Sequence, residues 1–328
     1  MPVQLTLGTH NVDHVTAAEE LRIPALDAVH AMGAVLASTQ DALNKALQLK
    51  TGILLIGPKW SGKSTAVGRA IRLLRDEEER LLAAMPEAYR VRRVLTTHGL
   101  QSKTAREFLL ALLQKVSPGL RDRHLGMRKD DDTLRHELVS ALLNKNYGVI
   151  VCDEAEYLND RAVDQLRKIM ADATERDDRR VVVGPDGESY KAAGVGVLLV
   201  GTSKLLDVVR GDADNGHRWS EAIHVDTLPP NAIGTCYQAI FPAFGHHITS
   251  IGVDEWATFC ANHVALGRKV PVGKIVLHAR RYFSAFLSSE LADAQANVAR
   301  ETVPFNRALF LYTLDAAPSP AGSRHGSK

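Results

Sequence analysis

Nine residues constrain this chain more than any others: Gly57-Pro58-Lys59-Trp60-Ser61-Gly62-Lys63-Ser64-Thr65. They fit G-x-x-x-x-G-K-[ST], the phosphate-binding P-loop, at every fixed position. Upstream, Ile53-Leu54-Leu55-Ile56 reads as a fully buried strand; downstream, Ala66, Ala70, Ile71, Leu73 and Leu74 recur at helical spacing. Strand, glycine-rich loop and helix are the setting this motif requires. Gly57 and Gly62 let the backbone curl, because they lack the side chain that disfavours left-handed dihedrals. Successive N–H groups then face an anion, helped by the positive end of the following helix. Lys63 brings a mobile charge for the β and γ phosphates, and the Ser64 hydroxyl is placed to ligate Mg²⁺. Pro58, Lys59, Trp60 and Ser61 fill the variable positions, and Thr65 follows the metal-binding hydroxyl. The expected ligands are ATP and Mg²⁺.

A second stretch completes the chemistry. Gly148-Val149-Ile150-Val151-Cys152-Asp153-Glu154 is an apolar strand ending in two carboxylates, the Walker B pattern. Asp153 is expected to hold the metal, directly or through water, and Glu154 to orient and deprotonate the attacking water. A third apolar strand, Gly196 to Gly201, ends in Thr202. Ligands of an open parallel sheet sit at the carboxyl ends of its strands, so Thr202 is expected near the γ-phosphate.

The remaining segments frame these. Residues 1–20 carry no periodicity and are expected to be a loose arm. Residues 21–226 read as an α/β nucleotide-binding domain. Within it, Leu21 to Leu49 reads as helical, Val91 to Thr97 as a strand and Thr104 to Val116 as an amphipathic helix. Ser117-Pro118-Gly119 reads as a break, Arg121 to Asp132 as a charged loop, and Leu134 to Leu143 as resumed helix. Val181-Val182-Val183, a Pro185-Asp186-Gly187 turn and Ser189-Tyr190 suggest a small hairpin. Ala222 to Val225 reads as one more strand, after which Leu228-Pro229-Pro230 ends the alternation. Residues 227–316 carry only helical patterns, as expected of a small all-helical lid, and residues 317–328 a flexible tail.

Bulk numbers exclude several classes. The net charge of +2 leaves no global basic field, so any nucleic-acid contact must come from local patches. Cys152, Cys236 and Cys260 have no metal-ligand spacing and read as reduced, buried thiols. No apolar run approaches membrane-spanning length and no leader pattern opens the chain, so a cytoplasmic location is expected.

The P-loop, the Asp153-Glu154 pair, the strand ending in Gly201-Thr202, a late arginine and the helical lid together resemble the AAA+ ATPases. Within that superfamily, GPKWSGKST, VIVCDEAEYLND and VLLVGTSKLLDVV are most similar to the DNA-transposition ATPases of the TniB, TnsC and phage Mu B type. The resemblance implies a parallel sheet sandwiched by helices, followed by the lid. It implies that Thr202 is a sensor and that Arg218 is an arginine finger serving a neighbouring subunit, with Arg210 in reserve. The lid's own sensor falls at Gly273-Lys274 or Gly267-Arg268. Such ATPases form rings or filaments on duplex DNA with ATP bound and recruit a transposase. Their DNA contacts reach the backbone without reading bases. Candidates here are Lys103 with Thr104, and the hairpin rim of Arg179, Arg180 and Lys191. Two other readings compete. One is a nucleotide-switched scaffold in secretion or defence signalling without DNA. The other is a helicase loader or replication initiator, for which a helix-turn-helix after the lid is expected and none is evident.

Overall fold

The computed structural model describes residues 30–84, 92–99, 104–125, 130–177, 181–183, 189–191, 194–210, 219–225, 227, 230–240, 253–265, 270–287 and 307–315. They fall into two compact units, one spanning Ala34–Asp226 and the other built chiefly from Thr227 onward.

The first unit is a five-stranded parallel sheet: β1 (Gly52–Ile56), β2 (Arg93–His98), β3 (Tyr147–Asp153), β6 (Gly196–Gly201) and β7 (Trp219–His224), in the order β2-β3-β6-β1-β7. The short antiparallel pair β4 (Val181–Val183) and β5 (Ser189–Lys191) forms the expected hairpin. Around the sheet lie α1 (His30–Leu49), α2 (Lys63–Ala84), α3 (Ala105–Val116), α4 (Pro118–Leu125), α5 (Asp131–Asn144), α6 (Asp160–Asp177) and α7 (Lys204–Arg210).

Central strands pair on both sides and are covered on both faces, which is why β1 and β6 are buried along their whole length. Alternation then sorts their side chains. Leu54, Ile56, Ile150, Cys152, Val197 and Leu199 pack with the apolar faces of α3, α5 and α6. Ile53, Leu55, Val149, Val151, Leu198 and Val200 pack with α1 and α2. This is the helix-sheet-helix sandwich of a P-loop AAA+ fold. The edge strands differ: β2 alternates buried Leu95 and Thr97 with exposed Thr96 and His98. In β7, Ser220 and Glu221 are exposed, and Glu221 accepts from Lys45 at 2.8 Å. Those polar residues explain why this strand begins at Trp219, earlier than its apolar residues suggest.

Polar clasps tie the helices to the sheet. The buried Glu78 carboxylate of α2 accepts from the Arg92 backbone N–H (2.8 Å) and Nε (3.0 Å), pinning the entry to β2. Arg135 of α5 donates to Asp172 (2.8 Å) and Gln165 (3.2 Å) of α6.

One expected loop is a helix. α3 stops at Val116, where the Ser117 N–H returns to Leu113 O at 2.7 Å, but Pro118 opens α4 rather than a loop. Proline suits a first helical position: its fixed φ is helical, and its missing N–H is one the first turn leaves unpaired anyway.

The second unit contains α8 (Pro230–Ile240), α9 (Val253–Cys260) continued by a π-helical turn (Ala261–Ala265), α10 (Val272–Leu287) and α11 (Arg307–Asp315). Its core gathers Tyr237, Trp256, Phe259, Tyr282 and Phe310. Phe310 is central, with edge-on contacts to Tyr237 (5.2 Å), Trp256 (5.6 Å) and Tyr282 (5.7 Å). His263 is exposed but tilts against Phe259 at 4.7 Å. His278 threads the core. Its Nε2 lies 3.0 Å from Phe310 O, which can only accept, so Nε2 carries the proton and Nδ1 accepts from the Tyr237 hydroxyl at 2.6 Å. Burial is the main cause that pushes this imidazole down to about 4.

Candidate nucleotide site

The P-loop is anchored at its root by two backbone bonds that prolong the sheet. Gly57 N–H donates to Gly201 O at 3.1 Å, and Val225 N–H donates to Ile56 O at 2.7 Å. A Cβ on Gly57 would stand 2.9 Å from Val225 O and 3.2 Å from Ser61 Oγ, so only glycine fits there. Farther along, Trp60 has φ 67° and Gly62 φ 86°. These left-handed residues curl the loop before α2 begins at Lys63, whose first-turn N–H groups have no intrahelical acceptor. Trp60 pays for its conformation by pointing outward, 57% exposed.

Lys63 is 8% exposed and folds back into its own loop. Its Nζ donates to Gly57 O (2.8 Å), Pro58 O (2.8 Å) and Ser61 Oγ (3.1 Å). Burial lowers its pKa, opposed by the negative charges of Glu156 and then Asp153. Three acceptors thus hold an ammonium inside a ring of backbone. A phosphate entering that ring replaces them with charged oxygens, a stronger pairing.

Asp153 closes β3 beside His98 of β2 in the strand register. Its Oδ1 accepts the Glu154 N–H at 2.9 Å. Glu154 itself is left-handed, φ 53° and ψ 38°, and caps a single 3₁₀ turn, Ala155–Tyr157. Gly99 makes room for that kink: a Cβ there would lie 2.3 Å from Glu154 O. Such a conformation costs a non-glycine residue of order 1 kcal/mol, and it redirects the chain just past the two carboxylates.

Beside the P-loop lies a cavity of about 720 Å³ bounded by Gly57, Pro58, Lys59, Glu156, Tyr157, Thr202, Lys204 and His224. Thr202 stands where the sequence places it, at the end of β6, half-buried on the cavity wall. Its carbonyl accepts the Leu205 N–H at 3.0 Å, so it also opens α7. Lys59 Nζ donates to the Tyr157 hydroxyl at 3.1 Å and lies 5.7 Å from that ring's centre, bridging P-loop and 3₁₀ turn across the mouth.

A triphosphate fits the curled loop, whose glycine sites leave space and whose helix presents N–H groups. Magnesium fits the oxygen donors at hand, the exposed Ser64 hydroxyl and Asp153, since it is held by one or two carboxylates plus phosphates and water. Among the described residues no group of three or more His, Cys, Asp or Glu forms a self-sufficient metal cage. Cys152 and Cys236 are fully buried and their thiols pushed up by burial, which leaves them inert. Among the described residues no helix is long and apolar enough to cross a membrane.

Of the expected DNA contacts, Thr104 is described, and its hydroxyl is committed. It accepts the Glu107 N–H at 3.1 Å while the Glu107 carboxylate accepts the Thr104 N–H, a capping box that starts α3. Lys191 pairs with Val181 in the hairpin register. Lys103, Arg179, Arg180, Arg218 and Arg268 lie outside the described residues, and Lys274 is exposed on α10. Sequence reasoning missed Glu156, Tyr157 and His224.

A family model described as "AAA domain" matches residues 47–209, the span from the end of α1 through α7. With the parallel sheet described above, that match gives residues 47–209 the fold of a P-loop AAA+ ATPase domain. Comparison with curated proteins gives no match. Among solved structures, the Aeropyrum pernix ORC2 protein in its ADPNP-ADP complexes superposes with a TM-score of 0.57 at 12% identity, over 87% of this chain and 67% of that one. Cdc6p from Pyrobaculum aerophilum gives 0.51 at 15% identity, over 85% and 64%. Drosophila ORC bound to DNA gives 0.51 at 12%, over 96% and 68%. The chain spans about two thirds of the length of these proteins, and at such identities they share its fold.

Proposed function

We propose that this chain binds and hydrolyses Mg-ATP and uses the nucleotide to control its own assembly on duplex DNA. One observation carries the reading: a curled P-loop holding Lys63 opens beside a strand end that carries Asp153 and Glu154. In this reading Lys63 contacts the β and γ phosphates, while Ser64 and Asp153 hold the metal. Glu154 orients and deprotonates the attacking water. Thr202 senses the γ-phosphate, and Arg218 reaches a neighbouring subunit's site. Lys103, the N-terminus of α3 at Thr104, and the hairpin rim of Arg179, Arg180 and Lys191 meet the DNA backbone.

The biological setting we propose is transposition: an ATP-bound ring or filament marks a DNA target and recruits or activates a transposase. A second reading, replication initiator or helicase loader, is favoured by the fold shared with ORC2 and Cdc6p. The test measures ATP turnover with and without duplex DNA and images the same mixtures by electron microscopy. Assembly on DNA that needs ATP and falls away with salt is expected, along with loss of ATP binding in Lys63→Ala. ATP binding undiminished in Lys63→Ala overturns the site, and no response to DNA overturns the DNA-bound reading. Co-purification with a transposase or with a replicative helicase then separates the two settings.

A further inference from the structure

Among the described residues Glu156 is the one carboxylate on the wall of the cavity beside the P-loop. It belongs to the 3₁₀ turn that the left-handed Glu154 starts, and its neighbour Tyr157 is clasped to Lys59 of the P-loop. Its Oε2 is fully buried yet has no hydrogen-bond partner among the described residues. The closeness is made possible by Gly201 at the end of β6: a Cβ there would stand 2.6 Å from that oxygen. Burying a carboxylate oxygen without a donor is costly, so the arrangement calls for a cation or a donor that arrives with a ligand.

What fits can be narrowed by charge. Lys63 already spends its ammonium on three loop acceptors. Phosphate oxygens repel a carboxylate and cannot satisfy it. A water bound to magnesium does the opposite: it is a strong donor, and magnesium keeps several such waters when it binds through phosphates. We infer that Glu156 is a positioning residue of the nucleotide site, accepting through Oε2 a hydrogen bond from a magnesium-bound water, while Gly201 reserves the space for it. This rests on the Mg-ATP reading above. It assigns Glu156 a task separate from the one proposed for Glu154: holding the hydrated metal rather than activating the attacking water.

The experiment follows binding of a fluorescent ATP analogue to the full chain, in EDTA and across a magnesium titration. In Glu156→Gln the magnesium concentration for half-maximal tightening is expected to rise about tenfold, the usual effect of removing an outer-shell partner. Affinity in EDTA should stay unchanged or improve, since a negative charge near the phosphates is gone. Gly201→Ala should shift the magnesium curve the same way, because its methyl displaces the carboxylate. Glu156→Asp should fall between native and glutamine. Unchanged magnesium curves in both Glu156→Gln and Gly201→Ala overturn the inference, as does an equal loss of affinity with and without magnesium. Absence of analogue binding by the native chain instead overturns the function on which it rests.

Discussion

At the carboxyl end of β3, Glu156 keeps a buried oxygen without a donor, whereas in the helical unit both ring nitrogens of the buried His278 are hydrogen-bonded. Thr97, at the same end of the sheet, also buries an unpartnered hydroxyl. Among the described residues the helical unit has no such atom. The two regions use buried polarity for opposite ends. A satisfied network fixes which helix faces which, because any other packing would strand Tyr237, His278 or Thr313. An unsatisfied group stores a cost that only a partner from outside relieves, and it lies beside the P-loop. Among the described residues the left-handed non-glycine positions, Lys50, Trp60, Asn146 and Glu154, all belong to the α/β unit, and Trp60 and Glu154 flank the site.

The comparison can be broken by exchanging the expected effects. Glu154→Gln should keep nucleotide affinity and melting temperature while turnover drops roughly 100-fold to 10,000-fold, the span ascribed to a general base. Steady-state ATPase assays beside a binding titration decide it. Normal turnover would remove Glu154 as the base. Phe310→Ala should do the reverse, costing about 4 kcal/mol of stability by opening a cavity among Tyr237, Trp256 and Tyr282. Calorimetry should record that loss while nucleotide affinity of the folded fraction stays native.

A pH series sharpens the contrast further. The folded His278 titrates near 4, below its ordinary value of 6.5, so the unfolded chain takes up the proton first as pH falls. Stability from the neutral imidazole is therefore complete above about pH 6.5 and is lost between there and about 4. The total is about 3 kcal/mol. Melting curves of the helical unit's tryptophan signal should follow that window, and a flat profile would contradict the hydrogen-bonded neutral ring. The smallest effect is expected from Thr104→Ala. It should cost about 1 kcal/mol by removing the cap of α3. DNA affinity at fixed salt should not change, since the contact proposed at this helix end comes from the backbone and the hydroxyl is already committed to Glu107.

Much of the α/β unit was legible along the chain. The apolar runs at β1, β3 and β6, the P-loop and the carboxylates ending β3 are local patterns, and each reflects burial or phosphate geometry acting on neighbouring residues. The edge strand β7 was half-hidden, because Ser220 and Glu221 face solvent and dilute its apolar signal. Helix α4 was masked by Ser117-Pro118-Gly119, residues that end one helix and, through proline at its first position, begin another.

By itself, then, the sequence determined the P-loop motif, the carboxylates that close β3 and the parallel α/β class, because those depend on contiguous residues in a required order. Only the tertiary structure decided the rest. The strand order brought Gly201 of β6 against Glu156, 45 positions away, and Gly57 between Gly201 and Val225. It also joined Tyr237, His278 and Phe310 from three helices. Contacts between residues so distant in the chain leave no local period, since their energy comes from shape and polar pairing that exist only once the elements have packed.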